Sequence, residues 1–306
     1  MKILIAIISL TLMLSATVSA QNTNRYSSLL IRSSFQSYDM QKQLATIDTS
    51  KTDSISSYWL DNRNIFRDSY TMGKIFVDDF KYVYSSPVRL NFNSALWLAG
   101  ITAVGGVIYA YDQEIHDAFM RNRDHKLYKP IRKLGENCER LGFMGFTNRF
   151  YIGAMALGYL IKYEPLVTIP GEILESHLIE GGAKNVANLF IGRHRPYEEH
   201  GPYFIKYNDG SSFPSGHAAV VAQVADVISY RIRFLPIQIG IYAVAGSVCF
   251  ERITSEAHWP SDVYIAAVYG WAVSHAILKR HDRQRAKVAI GNVNGAAGLK
   301  FSFAFQ

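Results

Sequence analysis

Three short groups of residues in the C-terminal half of this chain carry its chemistry. The first is Phe213-Pro214-Ser215-Gly216-His217, set directly before the apolar run AAVVAQVADVIS. Proline suits the first turn of a helix, where its missing N–H costs nothing. Such a start leaves the backbone N–H groups of Ser215 and Gly216 at the positive end of the helix, a ready anion site. Gly216 lets an oxygen approach the backbone, the Ser215 hydroxyl adds a donor, and His217 brings an imidazole that ordinarily titrates near neutrality. The group reads as a phosphate cradle with a proton donor on its rim. Taken alone, it reads equally well as a capped helix with a structural histidine.

The other two groups decide between these readings. Upstream, Asn188, Arg193 and Arg195 precede Pro196 in NLFIGRHRP. Asn188 and Arg195 are seven apart, a spacing that puts them on one helix face, and a guanidinium is the natural bidentate clamp for phosphate oxygens. Downstream, ERITSEAHWPSD supplies Arg252, His258 and Asp262. Pro260 marks a helix start, so His258 and Asp262 lie an i,i+4 step apart across it. The carboxylate is expected to take one imidazole N–H and leave the other nitrogen's lone pair free, which makes a nucleophile or base. A lone HxxxD often only caps a helix, and a lone arginine is often a surface ion pair. All three groups in this order, each beside an apolar helix, favour the functional reading.

Positioning these residues falls to a series of helical segments. Met72, Ile75, Phe76, Phe80 and Val83 recur at helical spacing before Pro87. Apolar helices are expected over Phe92–Tyr111, Phe150–Ile161, His217–Ser229, Leu235–Phe250 and Val263–Leu278, with an amphipathic one over Pro170–Gly192. Several are apolar all round, as in membrane spans or the inner helices of a bundle. Several fall short of the roughly 20 apolar residues a span needs, and polar residues such as Asp226 and His275 interrupt others. With a mean hydropathy of +0.01, the balance favours a compact helical domain, seated against a membrane or soluble, over a many-span protein. The basic segment Asp112–Arg149 reads as a solvated face. At the end, Leu299, Phe301, Phe303 and Phe305 alternate with smaller or polar residues behind the turn signal Asn294-Gly295, which predicts a short β-hairpin.

The organisation expected is therefore a signal peptide over 1–20, a polar and poorly ordered arm over 21–65, a helical domain over 66–280, and a tail with the hairpin over 281–306. The first stretch has the short basic start, apolar core and Val18-Ser19-Ala20 site of a secretory signal, which predicts an exported, periplasmic or envelope-associated protein. A net charge of +7 suits anionic partners such as phosphate esters or anionic lipid surfaces, and no nucleic-acid motif appears. Neither CxxC nor HExxH metal spacing occurs, and no metal is expected. Cys138 and Cys249 have unlike surroundings, and the sequence leaves their pairing open.

Together the three groups resemble the signature of the type 2 phosphatidic acid phosphatase and vanadium haloperoxidase superfamily. That pattern is a Lys seven residues before Arg-Pro, then Pro-Ser-Gly-His, then Ser-Arg followed by His and Asp at these spacings. The resemblance covers roughly Pro87 to Leu278. It implies an all-α helical-bundle fold and metal-free phosphate removal through a phosphohistidine. It further implies His258 as nucleophile, Asp262 orienting it, and His217 protonating the leaving oxygen. Arg195, Arg252, Ser215 and Gly216 would hold the equatorial oxygens. The substrates implied are phosphomonoesters or pyrophosphates, lipid phosphates above all, with no cofactor and with vanadate as inhibitor. A vanadate-dependent haloperoxidase and a non-catalytic anion-binding envelope protein are the alternatives. Two positions depart from the pattern: Asn188 stands where the family has Lys, and Glu251 where it has Ser. Lys184, one turn before Asn188 and about 6 Å back along the axis, or Arg193, or His194, would have to compensate. Glu251 would repel an anion unless an arginine pairs with it.

Overall fold

The computed structural model describes residues 65–285, 289–293 and 296–300. The expected signal peptide, and the expected arm up to residue 64, lie outside the described residues. The described residues from 69 onward form one compact unit.

The helices run in order as α1 (Ile65–Tyr84), α2 (Phe92–Ala110), α3 (Asp112–Asn122), α4 (Lys129–Cys138), α5 (Met144–Leu160), α6 (Pro165–Phe190), α7 (Gly216–Arg231), α8 (Leu235–Thr254) and α9 (Pro260–Arg285). The fold is all-α, a helical bundle. Antiparallel strands β1 (Ala289–Val293) and β2 (Ala296–Lys300) follow, and the Val293–Ala296 pair brackets Asn294-Gly295. The expected alternation at 301–305 lies outside the described residues.

Several boundaries differ from expectation for local reasons. Pro165 opens α6 at its first turn, five residues before the expected start, and Pro170 sits inside the helix, where it removes one backbone donor. α6 ends at Phe190, so Arg195 is not on its face. α7 begins at Gly216 with Ser215 as its N-cap residue, so Pro214 lies before the helix and not in its first turn. Serine is a preferred residue at that position.

The bundle centres on α7. Ala218 and Ala219 pack with Ile253, Val263 and Ala266 near its start. Val221 and Ala225 meet Ala245 and Val248 of α8. Val227 meets Ile173 of α6 and Leu278 of α9 near its end. Small residues dominate the first of these layers, which lets α9 approach closely. A Cβ on Gly270 would lie 2.5 Å from the Ala219 carbonyl oxygen, so alanine there would force the two helices apart. Cys138 and Cys249 are both free thiols packed against the α7–α8 layer.

Burial bears on two readings of the sequence. The apolar helices are not all inner ones: α2 exposes Phe92, Leu96 and Leu98, α5 exposes Phe150, Ile152 and Leu157, and α8 exposes Leu235 and Ile239. Helices apolar all round carry more apolar surface than one central helix can cover. Among the described residues, α2 is the one helix long and apolar enough to cross a membrane, and only 11% of that stretch is buried. Conversely, the Asp112–Arg149 segment is not wholly a solvated face. Lys126, Lys129 and Lys133 do face solvent, but Asp112 and His116 are buried.

Candidate active site

The loop between α6 and α7 is pinned at its base. Arg193 pairs with Ile205 in an antiparallel bridge, the Lys206 N–H donates to the Gly192 carbonyl at 2.8 Å, and the Ser212 N–H donates to the Arg193 carbonyl at 3.0 Å. A Cβ on Gly192 would lie 1.7 Å from the Lys206 carbonyl oxygen, so only glycine lets these strands of loop close. The closed loop sets Arg195 at one side of the site and Ser212 to Ser215 at the other.

Arg193 does not reach the cradle. Its guanidinium is buried and donates to Asp262 Oδ1 at 2.5 Å, Asp112 Oδ2 at 2.6 Å, Ser261 Oγ at 2.8 Å and the Pro202 carbonyl at 2.8 Å. Ser261 adds its own N–H to Asp112 at 2.8 Å. Burial raises both carboxyls above the usual range, and Arg193 works against that shift in each. Asp112 therefore ties the start of α3 to the start of α9. Its signal in the sequence is only the first of three acidic residues after an apolar helix, with Glu114 and Asp117 close behind, too weak to single it out.

Asp262 does not bond His258 as the spacing suggests. It lies in the first turn of its own helix and takes the Trp259 N–H at 3.1 Å, the Ser212 hydroxyl at 2.5 Å and Arg193. His258 instead places Nδ1 2.6 Å from the Ser212 carbonyl oxygen. A carbonyl accepts and cannot donate, so in the neutral ring Nδ1 carries the proton and Nε2 the lone pair. The chemical result expected of Asp262 is reached through Ser212, a buried residue that nothing in the sequence pattern singles out.

Around His258 gather His217, Arg195 and Arg252. Burial and then Arg195 push the buried His258 down to about 3, with Arg252 and His217 adding to the effect. Burial and then Arg252 push the half-buried His217 down to about 4, with Lys184 and Arg195 contributing. Both imidazoles are therefore neutral at pH 7 without an anion in place, against the near-neutral titration expected of His217. Phe143 stacks on His217 at 6.5 Å, and a Cβ on Gly142 would meet its ring at 2.8 Å. The turn after α4 thus fixes the His217 side chain.

Of the two departures from the family pattern, Glu251 finds a partner and Asn188 has a cation near it. Glu251 accepts from Arg252 Nε at 2.5 Å, and Arg252 Nη2 meets Glu139 at 2.9 Å, so the Glu251 carboxylate is paired with a cation beside the site. Lys184 lies against the cradle: its Nζ is 3.1 Å from where a Cβ on Gly216 would stand. Gly216 is the residue that leaves room for it. Asn188 Oδ1 is buried without a hydrogen-bond partner.

What remains at the centre is a set of polar atoms awaiting partners. Ser215 Oγ and Arg195 Nε are buried and have no hydrogen-bond partner. Ser215 Oγ does not cap its helix. The Ser215 N–H, expected to be free, is taken by the Asp262 carbonyl at 3.3 Å, which ties the start of α7 to that of α9. Buried donors left in this way cost free energy unless something fills the gap, and three cations around them favour an anion.

Residues 171–286, from within α6 through α9, match the family model described as the PAP2 superfamily. This is the family that the three groups resemble, and the match contains all of them. Among solved structures the chain is similar to one described as the first transmembrane PAP2 type phosphatidylglycerolphosphate phosphatase, from Bacillus subtilis. Identity is 17%, the alignment covers 60% of this chain and 96% of that one, and the TM-score is 0.44. No curated protein matches the chain.

Proposed function

We propose that this protein is a phosphatase acting on phosphorylated lipids, with His258 as the nucleophile. The observation that carries the reading is the pair of buried, unpartnered donors, Ser215 Oγ and Arg195 Nε, in a site where Arg195 and Arg252 both act on His258 and His217. Phosphoryl transfer asks mainly for positioning and charge stabilisation, which such a site supplies.

In this reading the phosphate oxygens lie between Arg195, Arg252, Lys184 and Ser215. His258 Nε2 attacks phosphorus, and its Nδ1–H stays on the Ser212 carbonyl as the ring becomes cationic. The bond from phosphorus to the leaving oxygen breaks, and His217 gives that oxygen a proton. The bound phosphate supplies the charge that lets His217 hold a proton, offsetting the cations that drive it down when the site is free. Water, deprotonated by His217, then takes the phosphoryl group from His258. No cofactor enters the scheme, and vanadate is expected to inhibit by filling the same cradle.

Lipid substrates are favoured by where the site lies. α2 spans about 28 Å with its 19 residues, close to the roughly 30 Å of a bilayer's hydrocarbon. The loop behind Arg195 packs on the end of that helix. Tyr203 donates to the Ala110 carbonyl at 2.8 Å, and its ring meets Tyr109 at 5.3 Å. Tyr109, Tyr111, Tyr197, Tyr203 and Tyr207 are all exposed, as aromatic residues are at a membrane–water interface. In this reading a site beside the end of α2 stands at headgroup depth, in an exported envelope protein resting in the membrane.

The test is phosphate release by the purified protein in lipid vesicles, comparing phosphorylated lipids, pyrophosphates and small soluble esters, with His258→Ala alongside. Release from lipid phosphates that disappears in the variant supports the reading. Release from soluble esters alone would move the assignment to a soluble acid phosphatase, and silence on every substrate would contradict it.

A further inference from the structure

Beside the cradle, and separate from it, the α6–α7 loop gathers a second set of chemically able side chains. His194, Glu198 and His200 each bring a ligand-type atom to one place, all within 4.8 Å of one another. His194 is buried, and its Nδ1 faces Glu198 Oε2 in direct contact. The His200 ring lies 4.8 Å from that of His194, and Phe204 packs on both at 4.8 Å.

We propose that these three residues bind a divalent transition metal ion, zinc by preference. Two imidazoles and one carboxylate are a donor set that suits zinc, with a fourth position left to water. Two observations beyond the cluster support it. His194 Nε2, the ring nitrogen turned away from Glu198, is buried with no hydrogen-bond partner. It stands 3.8 Å from Asp209 Oδ2, where a metal-ligating imidazole usually has a carboxylate behind it. Lys206 Nζ holds that carboxylate at 2.5 Å, which keeps Asp209 behind the ligand and out of the ligand set.

The backbone builds the site before any ion arrives. A short 3-10 turn, Pro196–Glu198, brings Glu198 back under His194, and Glu199 at φ 59° turns the chain so that His200 returns to the same place. The His194 carbonyl is fixed by Trp259 Nε1 at 2.9 Å. An H-x3-E-x-H spacing spread over a loop follows no common zinc motif, so neither CxxC nor HExxH marks it. The other acid–histidine group among the described residues, Asp79, Glu175 and His281, is a different case, because Arg280 and His281 already neutralise its carboxylates. A metal at His194 would lock the loop next to Arg195. It takes no part in the phosphoryl chemistry.

The experiment is titration of the full chain, stripped with a chelator and then dialysed, with Zn²⁺ by calorimetry and with Co²⁺ by visible absorption. One equivalent should bind, with the Co²⁺ spectrum of a low-symmetry nitrogen–oxygen site. His200→Ala, an exposed position, should lose the site while keeping the metal-free melting temperature. Asp209→Asn should weaken binding about tenfold or more. His258→Ala should bind as the wild type does. No binding in the wild type, equal binding in His200→Ala, or loss of binding in His258→Ala would each overturn the proposal.

Discussion

The bundle holds two buried clusters of charge, one at each end of α6, α7 and α9, made of similar residue types and wired in opposite ways. At the far end, Arg231 grips Glu172 with two donors at 2.5 and 2.8 Å and Asp282 with a third at 2.8 Å. His281 bridges Asp79 at 2.8 Å and Glu172 at 3.1 Å, and Arg280 contacts Asp79. Each cation there meets carboxylates. At the cradle end, Lys184, Arg195, Arg252, His217 and His258 crowd together, and the carboxylates on hand sit mainly on Arg252. Burial raises Glu180, one turn below Lys184, to about 7 against the pull of Lys184. A buried cluster that closes its own charges holds helices together, whereas one with surplus cations and open donors is built for something that is not part of the chain.

The histidines register this contrast with opposite signs. Burial would lower His281, but its bonds to Asp79 and Glu172 outweigh that and raise it to about 9. Its folded pKa lies above the unfolded value, so its stabilisation is complete below pH 6.5 and is lost as pH rises through 9. His217 and His258 are lowered to about 4 and 3. The unfolded chain therefore takes up their protons first, and stability falls as pH drops from 6.5 toward those values.

The largest expected effect is on catalysis. His258→Ala should cut lipid phosphate turnover by about 10³-fold or more while the protein still melts cooperatively; full activity in this variant would remove His258 from the reaction. Next comes the far cluster. Arg231→Leu takes three donors from Glu172 and Asp282, leaving them His281 and Tyr230, and should cost about 3–5 kcal/mol of stability, read from denaturant unfolding, with turnover per folded molecule unchanged. Lys184→Ala should cost about 2.7–4 kcal/mol of transition-state stabilisation, as loss of one oxyanion donor does. If kcat/KM stays at the wild-type value, Lys184 is not the cation that replaces the missing lysine at Asn188. Ser212→Ala keeps the carbonyl on His258 but leaves Asp262 short of a donor, at about 1–3 kcal/mol, seen as a lower melting temperature with a smaller change in turnover. The smallest effect is the pH trend: melting temperature against pH should fall below 6.5 less steeply in His217→Asn than in the wild type. An unchanged acid limb would show that His217 is not held neutral.

Much of this is legible in the sequence because it is written in local chemistry. Helical spacing locates the apolar helices, with boundaries up to seven residues out, and the Pro-Ser-Gly-His group and the two Arg-bearing segments mark the site. What escapes depends on residues far apart in the chain. Asp112, Arg193 and Asp262 form one buried cluster across 150 residues, so by sequence Arg193 reads as a spare phosphate ligand. The i,i+4 step from His258 to Asp262 points to a direct bond, but capping and Arg193 claim the carboxylate, and the Ser212 carbonyl takes its place. By spacing, Lys184 stands one turn too far back. Its long side chain and the open space at Gly216 cover that distance.

The central claim is that the cradle delivers a phosphoryl group to His258, and a covalent label tests it most directly. Purified wild-type protein in vesicles is mixed with a lipid carrying radiolabelled phosphate, quenched in base within the first turnovers, and separated from substrate. The account predicts a label on the protein that is stable to base, lost in acid, and missing from His258→Ala. A label that persists in that variant, or turnover in the wild type with no label at any quench time, would contradict it.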